Sequence, residues 1–243
     1  IAALDQVKNE LITRLSSELR APVTSLLTAA KILNRAKDAP LEKNSRFVEI
    51  IYDEAEKMSE IIQSIFQASV LAGGVDAPER RDVPAEDLIR RAIAPLRDLA
   101  RQREVRLHIL IPSGLSTISC EGESAEAALR AVIKNAIEFN HNGGQVKLEV
   151  RRVMRDEKPW LMLCVTDTGV GIPDQELAHV CEAFWQGGNV LSGKPRGVGL
   201  GLAIAKRVAE HHGGSLLISS TVAEGTEVTM TLPQFDGFHS SKI

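Results

Sequence analysis

Flat rings are scarce in this chain: Phe, Trp and Tyr make up 4% of its 243 residues. So few aromatics speak against a surface that binds single-stranded nucleic acid by stacking bases. A basic excess is missing too. Lys and Arg number 29 against 32 Asp and Glu, for a net charge of -3. Nothing in that balance draws the chain to a nucleic-acid backbone or into direct contact with an anionic membrane. Cysteine occurs three times, at Cys120, Cys164 and Cys181. An odd count at wide spacing argues against a disulfide framework or a zinc site and fits a reducing, cytoplasmic setting. No apolar run approaches the ~20 residues that a membrane-crossing helix requires. No signal peptide is visible either. The chain opens at Ile1 already in a helical pattern, so a piece of a longer, soluble or membrane-anchored parent is expected.

Two further absences divide the chain. Gly does not occur before residue 73, and Pro occurs there only at Pro22 and Pro40. What remains is helical in period. Leu4, Val7, Leu11, Leu15, Leu19, Val23, Leu26, Ala30 and Leu33 step by three or four, and a second stripe runs from Phe47 through Ile51, Met58 and Ile62 to Ser69. Such steps mark one face of a helix. With a turn at residues 37–40, the pattern predicts a helical hairpin over 1–72. Two helices with narrow apolar stripes make a poor core alone, and a homodimeric four-helix bundle is the usual solution.

Residues 73–82, with Gly73-Gly74 and Pro78, read as a linker. The stretch 83–235 then mixes periods. Helices are expected over 85–103, 123–139 and 200–211, and strands over 105–111, 145–153, 161–167, 215–220 and 227–232. Residues 236–243 read as a polar tail. The mixture predicts an α+β chain, a helical hairpin followed by an α/β sandwich with helices on one face of a mixed sheet.

Three features carry chemistry. Asp167-Thr168-Gly169-Val170-Gly171-Ile172-Pro173 follows an apolar strand. Its glycines let a ligand approach the backbone, and the Asp167 carboxylate at the strand end can accept a hydrogen bond from an exocyclic amine. Arg196-Gly197-Val198-Gly199-Leu200-Gly201-Leu202 leads into a helix, whose first N–H groups suit phosphate. Asn135 sits in mid-helix, and its amide oxygen is a hard ligand suited to a Mg²⁺ ion that bridges phosphates. Taken alone, the glycines also fit two ordinary turns, and Asn135 a surface position.

Leu129–Phe139, Asp167–Pro173, Ala183-Phe184-Trp185-Gln186 and Gly197–Gly201 resemble the N, first glycine, F and second glycine boxes of sensor histidine kinases. Glu224-Gly225-Thr226 resembles that family's Gly-Thr element. Leu15-Ser16-Ser17-Glu18-Leu19-Arg20-Ala21-Pro22 resembles its phosphoacceptor box. The resemblance spans nearly the whole chain with every box in order. It implies a dimerisation and phosphotransfer hairpin, then an ATP-binding sandwich of the GHKL type. It implies ATP and Mg²⁺ as cofactors, autophosphorylation, and transfer to an aspartate on the receiver domain of a response regulator. On it, Ser17, Glu18 and Arg20 form the acceptor site, with Glu18 assisting proton removal. Asn135 holds the metal. Phe139 packs on adenine, Asp167 accepts from the adenine amine, Gly169, Gly171 and Thr226 also bind the nucleotide, and Lys194, Arg196, Gly197, Gly199 and Gly201 face the phosphates.

The family's acceptor is a histidine, and Ser17 stands in its place; no histidine precedes His108. A hydroxyl is a weak nucleophile unless a base activates it. Three readings stay open: an engineered replacement, a natural pseudokinase that acts as a nucleotide-binding scaffold, and serine autophosphorylation. Ala131 and Glu138 also depart from the family pattern, and Ala21 occupies the place of the residue that orients water for phosphatase action. His211-His212-Gly213-Gly214 reads as a helix end with a glycine cap rather than a metal site.

Overall fold

A computed structural model describes residues 2–35, 44–55, 58, 80–115, 117–183, 185, 187 and 199–234. The chain divides into two compact units, Ile1–Phe66 and Gln67–Ile243.

The first unit holds α1 (Ala2–Arg35) and a further helical stretch, α2, over residues 44–55. Pro22 lies inside α1. It cannot donate to the carbonyl four residues back, which weakens the ladder at Glu18. Beyond it, the Thr24 and Thr28 hydroxyls each donate 2.7 Å back to the carbonyls of Arg20 and Thr24. Among the α1 residues whose burial is described, 19–35, Pro22 and Ala29 are buried and Leu26 and Leu33 half-buried. Val23 and Ala30, expected on the inner stripe, are exposed. Ala29 and Ile32 of α1 and Phe47 and Ile50 of α2 line one groove between the two helices. The expected turn and the end of the second stripe lie outside the described residues.

The second unit begins with β1 (Arg81–Pro84), two residues inside the expected linker. It continues through α3 (Ala85–Ile93), α4 (Leu96–Gln102), β2 (Arg106–Leu110), β3 (Thr117–Cys120) and α5 (Gly122–Glu138). Then follow β4 (Gln145–Arg155), β5 (Lys158–Asp167), α6 (Asp174–Leu177), α7 (Gly201–His211), β6 (Ser215–Thr221) and β7 (Gly225–Pro233). The single helix expected over 85–103 is two helices. Pro95 breaks it, since it brings no N–H to the helical ladder.

The main sheet has the order β2-β4-β5-β7-β6, parallel only between β2 and β4. β1 and β3 form a separate antiparallel pair. The β4–β5 hairpin is longer than its apolar pattern. It closes at Asp156 and Glu157, both with positive φ, 50° and 60°, the backbone of a tight two-residue turn.

One sheet face is apolar with period two: Val146, Leu148 and Val150 on β4, Leu161, Leu163 and Val165 on β5, Val228, Met230 and Leu232 on β7. The buried stripe of α5, from Ala125 through Leu129, Val132 and Ile133 to Ile137, shares that core with α3 and with Ile204 and Val208 of α7. The opposite face is polar. There Arg151 and Lys147 bond Glu149 at 2.7 and 2.8 Å and hold its half-buried carboxyl down to about 2.

α7 ends as the glycines imply. The Gly213 and Gly214 amides bond back to the Glu210 and Ala209 carbonyls. His212 beyond it is buried. Its Nδ1 lies 2.7 Å from the Val208 carbonyl and so carries the proton, which makes Nε2 the acceptor for the Glu121 amide at 2.9 Å. That bond ties the end of α7 to the start of α5.

Candidate functional site

The site grows from the end of β5. Asp167 closes the strand, and the chain then turns sharply back. Asp167 Oδ1 accepts two backbone N–H groups, from Gly169 at 2.8 Å and from Thr226 at 3.2 Å. The first sets the loop, and the second ties it to β7. Burial pushes the Asp167 carboxyl above its usual range, and the two amides pull the other way. Among the described residues, no hydrogen bond occupies Oδ2.

The glycines are needed for close approach. A β-carbon at Gly169 would lie 2.5 Å from the Phe139 carbonyl oxygen. Gly171 has a φ of +68°, and a β-carbon there would lie 2.1 Å from the Thr221 carbonyl oxygen. The loop is tied on both flanks. The Val170 amide bonds the Phe139 carbonyl at 3.1 Å, the Ala223 amide bonds the Val170 carbonyl at 2.9 Å, and the Ile172 amide bonds Ser220 Oγ at 2.8 Å.

α5 joins this loop to the second glycine cluster. Phe139 caps α5, and its amide bonds the Asn135 carbonyl one turn earlier at 3.0 Å. Its ring is partly exposed. Asn135 in turn faces the start of α7: a β-carbon at Gly201 would lie 3.8–3.9 Å from the Asn135 amide atoms and 3.5 Å from Ala131. Gly199 and buried Leu200 lead into that helix. Among the described residues, the Ile204 amide bonds the Leu200 carbonyl at 2.9 Å at the start of α7. The amides ahead of it suit an anion.

The structure thus brings Asn135, Phe139, Asp167, Gly169, Gly171, Gly199, Gly201 and Thr226 to one side of the second unit, around the end of α5. Lys194, Arg196 and Gly197 lie outside the described residues. Ser17 and Glu18 lie on α1, with their side chains likewise outside. Arg20 is exposed and borders the α1–α2 groove.

Sequence reasoning missed Ser220. Its hydroxyl lies 2.8 Å from the Gly225 carbonyl and 2.9 Å from Thr226 Oγ1. Nothing marks this residue in a strand that reads Ser-Leu-Leu-Ile-Ser-Ser-Thr.

A mixed sheet with helices on one face is the α/β sandwich of the GHKL type. Residues 121–236 match the family of histidine kinase-, DNA gyrase B- and HSP90-like ATPases, and residues 7–73 match the His Kinase A (phospho-acceptor) domain. With both domains in this order, the chain is similar to the catalytic core of sensor histidine kinases. It is 29% identical over 235 residues to the circadian input-output histidine kinase CikA of Synechococcus elongatus, covering 96% of this chain and 31% of CikA. It is 28% identical over 243 residues to the sensor-like histidine kinase SenX3 of Mycobacterium tuberculosis, covering 99% of this chain and 58% of SenX3. The chain therefore spans 31% of one of these relatives and 58% of the other. Among solved structures, the mycobacterial sensor histidine kinase MprB aligns at a TM-score of 0.53 and 27% identity over 64% of this chain and 97% of that one. Histidine kinase AdeS of Acinetobacter baumannii shares the fold at 0.67 and 18% identity over 90% and 98%. No described helix is long and apolar enough to cross a membrane.

Proposed function

We propose that this chain binds ATP with Mg²⁺ in its second unit and presents residue 17 of α1 as the phosphoacceptor position of a sensor kinase. The observation that carries the nucleotide reading is Asp167: two amides fix one carboxylate oxygen and leave the other for the adenine amine. Phe139 packs on the base, with Gly169 and Gly171 admitting it. Gly199 and Gly201 place the α7 amides at the phosphates, and Lys194 and Arg196 bring positive charge to meet them. Asn135 supplies one hard oxygen toward Mg²⁺.

In the kinase form of this site, a nucleophile at residue 17 takes the γ-phosphoryl from ATP, Glu18 accepts its proton, and ADP leaves. Arg20 flanks the acceptor one turn along. The phosphoryl group then passes to a response-regulator aspartate. A histidine kinase described as ThkA in complex with response regulator TrrA shares the fold, at a TM-score of 0.67 and 16% identity, which supports a receiver domain as partner. Exposed Val23, Leu27 and Ile32 of α1 and Val48 and Tyr52 of α2 support a homodimer through the first unit. A cytoplasmic location fits both roles.

Ser17 favours a second reading. A serine phosphate ester transfers far less readily than phosphohistidine, so onward transfer fails and this form is unable to run the relay. The chain then acts as a dimeric nucleotide-binding scaffold that controls a response regulator or partner kinase through its conformation. Calorimetric titration with ATP and Mg²⁺ tests the shared core: saturable binding supports both readings, and no heat at millimolar ATP rejects both. Labelling with γ-labelled ATP separates them, since only the kinase reading yields labelled protein once a histidine is restored at residue 17.

A further inference from the structure

The hydroxyl of Ser220 makes three contacts, and counting protons decides their direction. A hydroxyl has one proton to donate and two lone pairs to accept with. The Gly225 carbonyl can only accept, so at 2.8 Å it takes the Ser220 proton. The Ile172 amide can only donate, so at 2.8 Å it uses one Ser220 lone pair. The remaining contact, 2.9 Å to Thr226 Oγ1, must then run from Thr226 to Ser220. The Thr226 proton is committed inward, and only lone pairs remain on Oγ1 for any other partner. The same residue's amide is fixed on Asp167 Oδ1 at 3.2 Å, so Thr226 Oγ1 and Asp167 Oδ2 belong to one rim.

We propose that Ser220 is a positioning residue that holds Thr226 as a hydrogen-bond acceptor, and that this makes the rim selective for a purine bearing a 6-amino group over one bearing a 6-oxo group. The inference rests on the reading that the base sits against Asp167. A 6-amino group donates, directly or through a water, to a rim that only accepts. A 6-oxo group brings a second acceptor, and neither Asp167 nor Thr226 has a proton to meet it. Leaving polar groups of like kind face to face in a partly desolvated site costs affinity. Without the Ser220 oxygen the Thr226 proton is free to turn outward and donate to the 6-oxo group.

The test compares ATP with ITP, which differ at this position, by calorimetric titration with Mg²⁺. Wild type is expected to prefer ATP. Ser220→Ala is expected to lower the ATP/ITP affinity ratio about tenfold, the worth of one hydrogen bond, and Ser220→Thr to retain the wild-type ratio. A merely structural role for Ser220 would weaken both nucleotides by the same factor. A ratio unchanged in Ser220→Ala therefore overturns the inference while leaving ATP binding in place. Wild type that binds neither nucleotide overturns the ATP reading, and this inference with it. Should Ser220→Ala fail to fold, Thr226→Val decides. It removes the accepting oxygen and is expected to lower the ratio several-fold, and an unaltered ratio there overturns the assignment.

Discussion

Gly225 is pressed against Asp167: a β-carbon at residue 225 would lie 1.9 Å from the Asp167 carbonyl oxygen, and the residue holds a φ of +121°. Both the backbone angle and the space admit only glycine. Gly225→Ala must therefore push β7 away from the end of β5 and pull the Thr226 amide off the Asp167 carboxylate. Gly143 is the control, with a φ of +78° and nothing within 4 Å of its would-be β-carbon. Gly143→Ala is expected to cost about 1–2 kcal/mol, the left-handed penalty alone. Gly225→Ala is expected to cost more and to abolish ATP binding. Denaturant unfolding and calorimetry on the two variants check this, and equal effects would reject the close-packing argument.

Asp167→Asn separates stability from binding. The amide oxygen of an asparagine can still accept from Gly169 and Thr226, while its NH₂ group replaces Oδ2 and faces the adenine amine as donor against donor. Burial already disfavours the Asp167 charge, so the neutral side chain is expected to keep or raise the melting temperature. ATP affinity is expected to fall ten- to a hundredfold, in line with about 1–3 kcal/mol for a mismatched buried polar group. Near-normal ATP binding by Asp167→Asn would remove Asp167 from the base site.

The glycines and Asp167 were legible because residue type alone carries their physical demand: glycine permits φ values and approaches closed to other residues, and a lone carboxylate at a strand end invites a donor. The helical hairpin and main strands were legible from period. What was hidden is instructive. β1 and β3 have four residues each, too short for a period to show, and β1 carries a proline. Pro95 did carry a readable signal, and the single helix expected through it ignored that signal. Ser220 had none, since the direction of its hydrogen bonds exists only once β6, β7 and the first glycine loop are assembled.

The buried His212 gives a pH dependence. Burial lowers its pKa, helped by Arg80 and His211 and opposed by its bond to the Val208 carbonyl and by Glu121. Cys120, whose thiol burial pushes up to about 11, brings no charge near neutrality. With His212 neutral in the fold, the unfolded chain takes up a proton below about 6.5 that the folded chain refuses. Stability therefore falls as pH drops below that value, toward the depressed folded pKa. A protonated Nε2 can no longer accept the Glu121 amide. Unfolding free energy measured from pH 7.5 to 5 is expected to fall in wild type and to stay flatter in His212→Gln. Parallel profiles would assign the acid sensitivity elsewhere.

Leu27 of α1 and Val48 of α2 are 54% and 55% exposed in the chain alone. Apolar side chains that far out on a helical hairpin cost little to replace unless a partner covers them. Leu27→Glu with Val48→Glu is expected to leave the melting of the second unit unchanged and to yield monomers by light scattering. In a covered bundle face each buried polar group costs about 1–3 kcal/mol. An unchanged dimer mass would place the interface elsewhere.

Ser17→His tests whether the acceptor site fails only for want of a nucleophile. Residue 17 lies on continuous α1, five positions before Pro22, whose missing N–H frees the Glu18 carbonyl and loosens the helix beside the acceptor. Glu18 adjoins it in sequence, and the nucleotide site belongs to the other unit, so the substitution leaves ATP binding intact. An imidazole is a nucleophile near neutral pH, whereas a hydroxyl needs a base strong enough to strip it. Phosphoryl transfer otherwise asks the protein mainly for positioning and charge stabilisation. Incubated with γ-labelled ATP, Ser17→His is expected to gain an acid-labile, alkali-stable label, and the chain as it stands is expected to gain none. Failure of Ser17→His to label while ATP still binds would move the defect to Ala131 and Glu138 and favour the scaffold. An acid-stable label on the unaltered chain, lost in Ser17→Ala, would instead make Ser17 itself the acceptor.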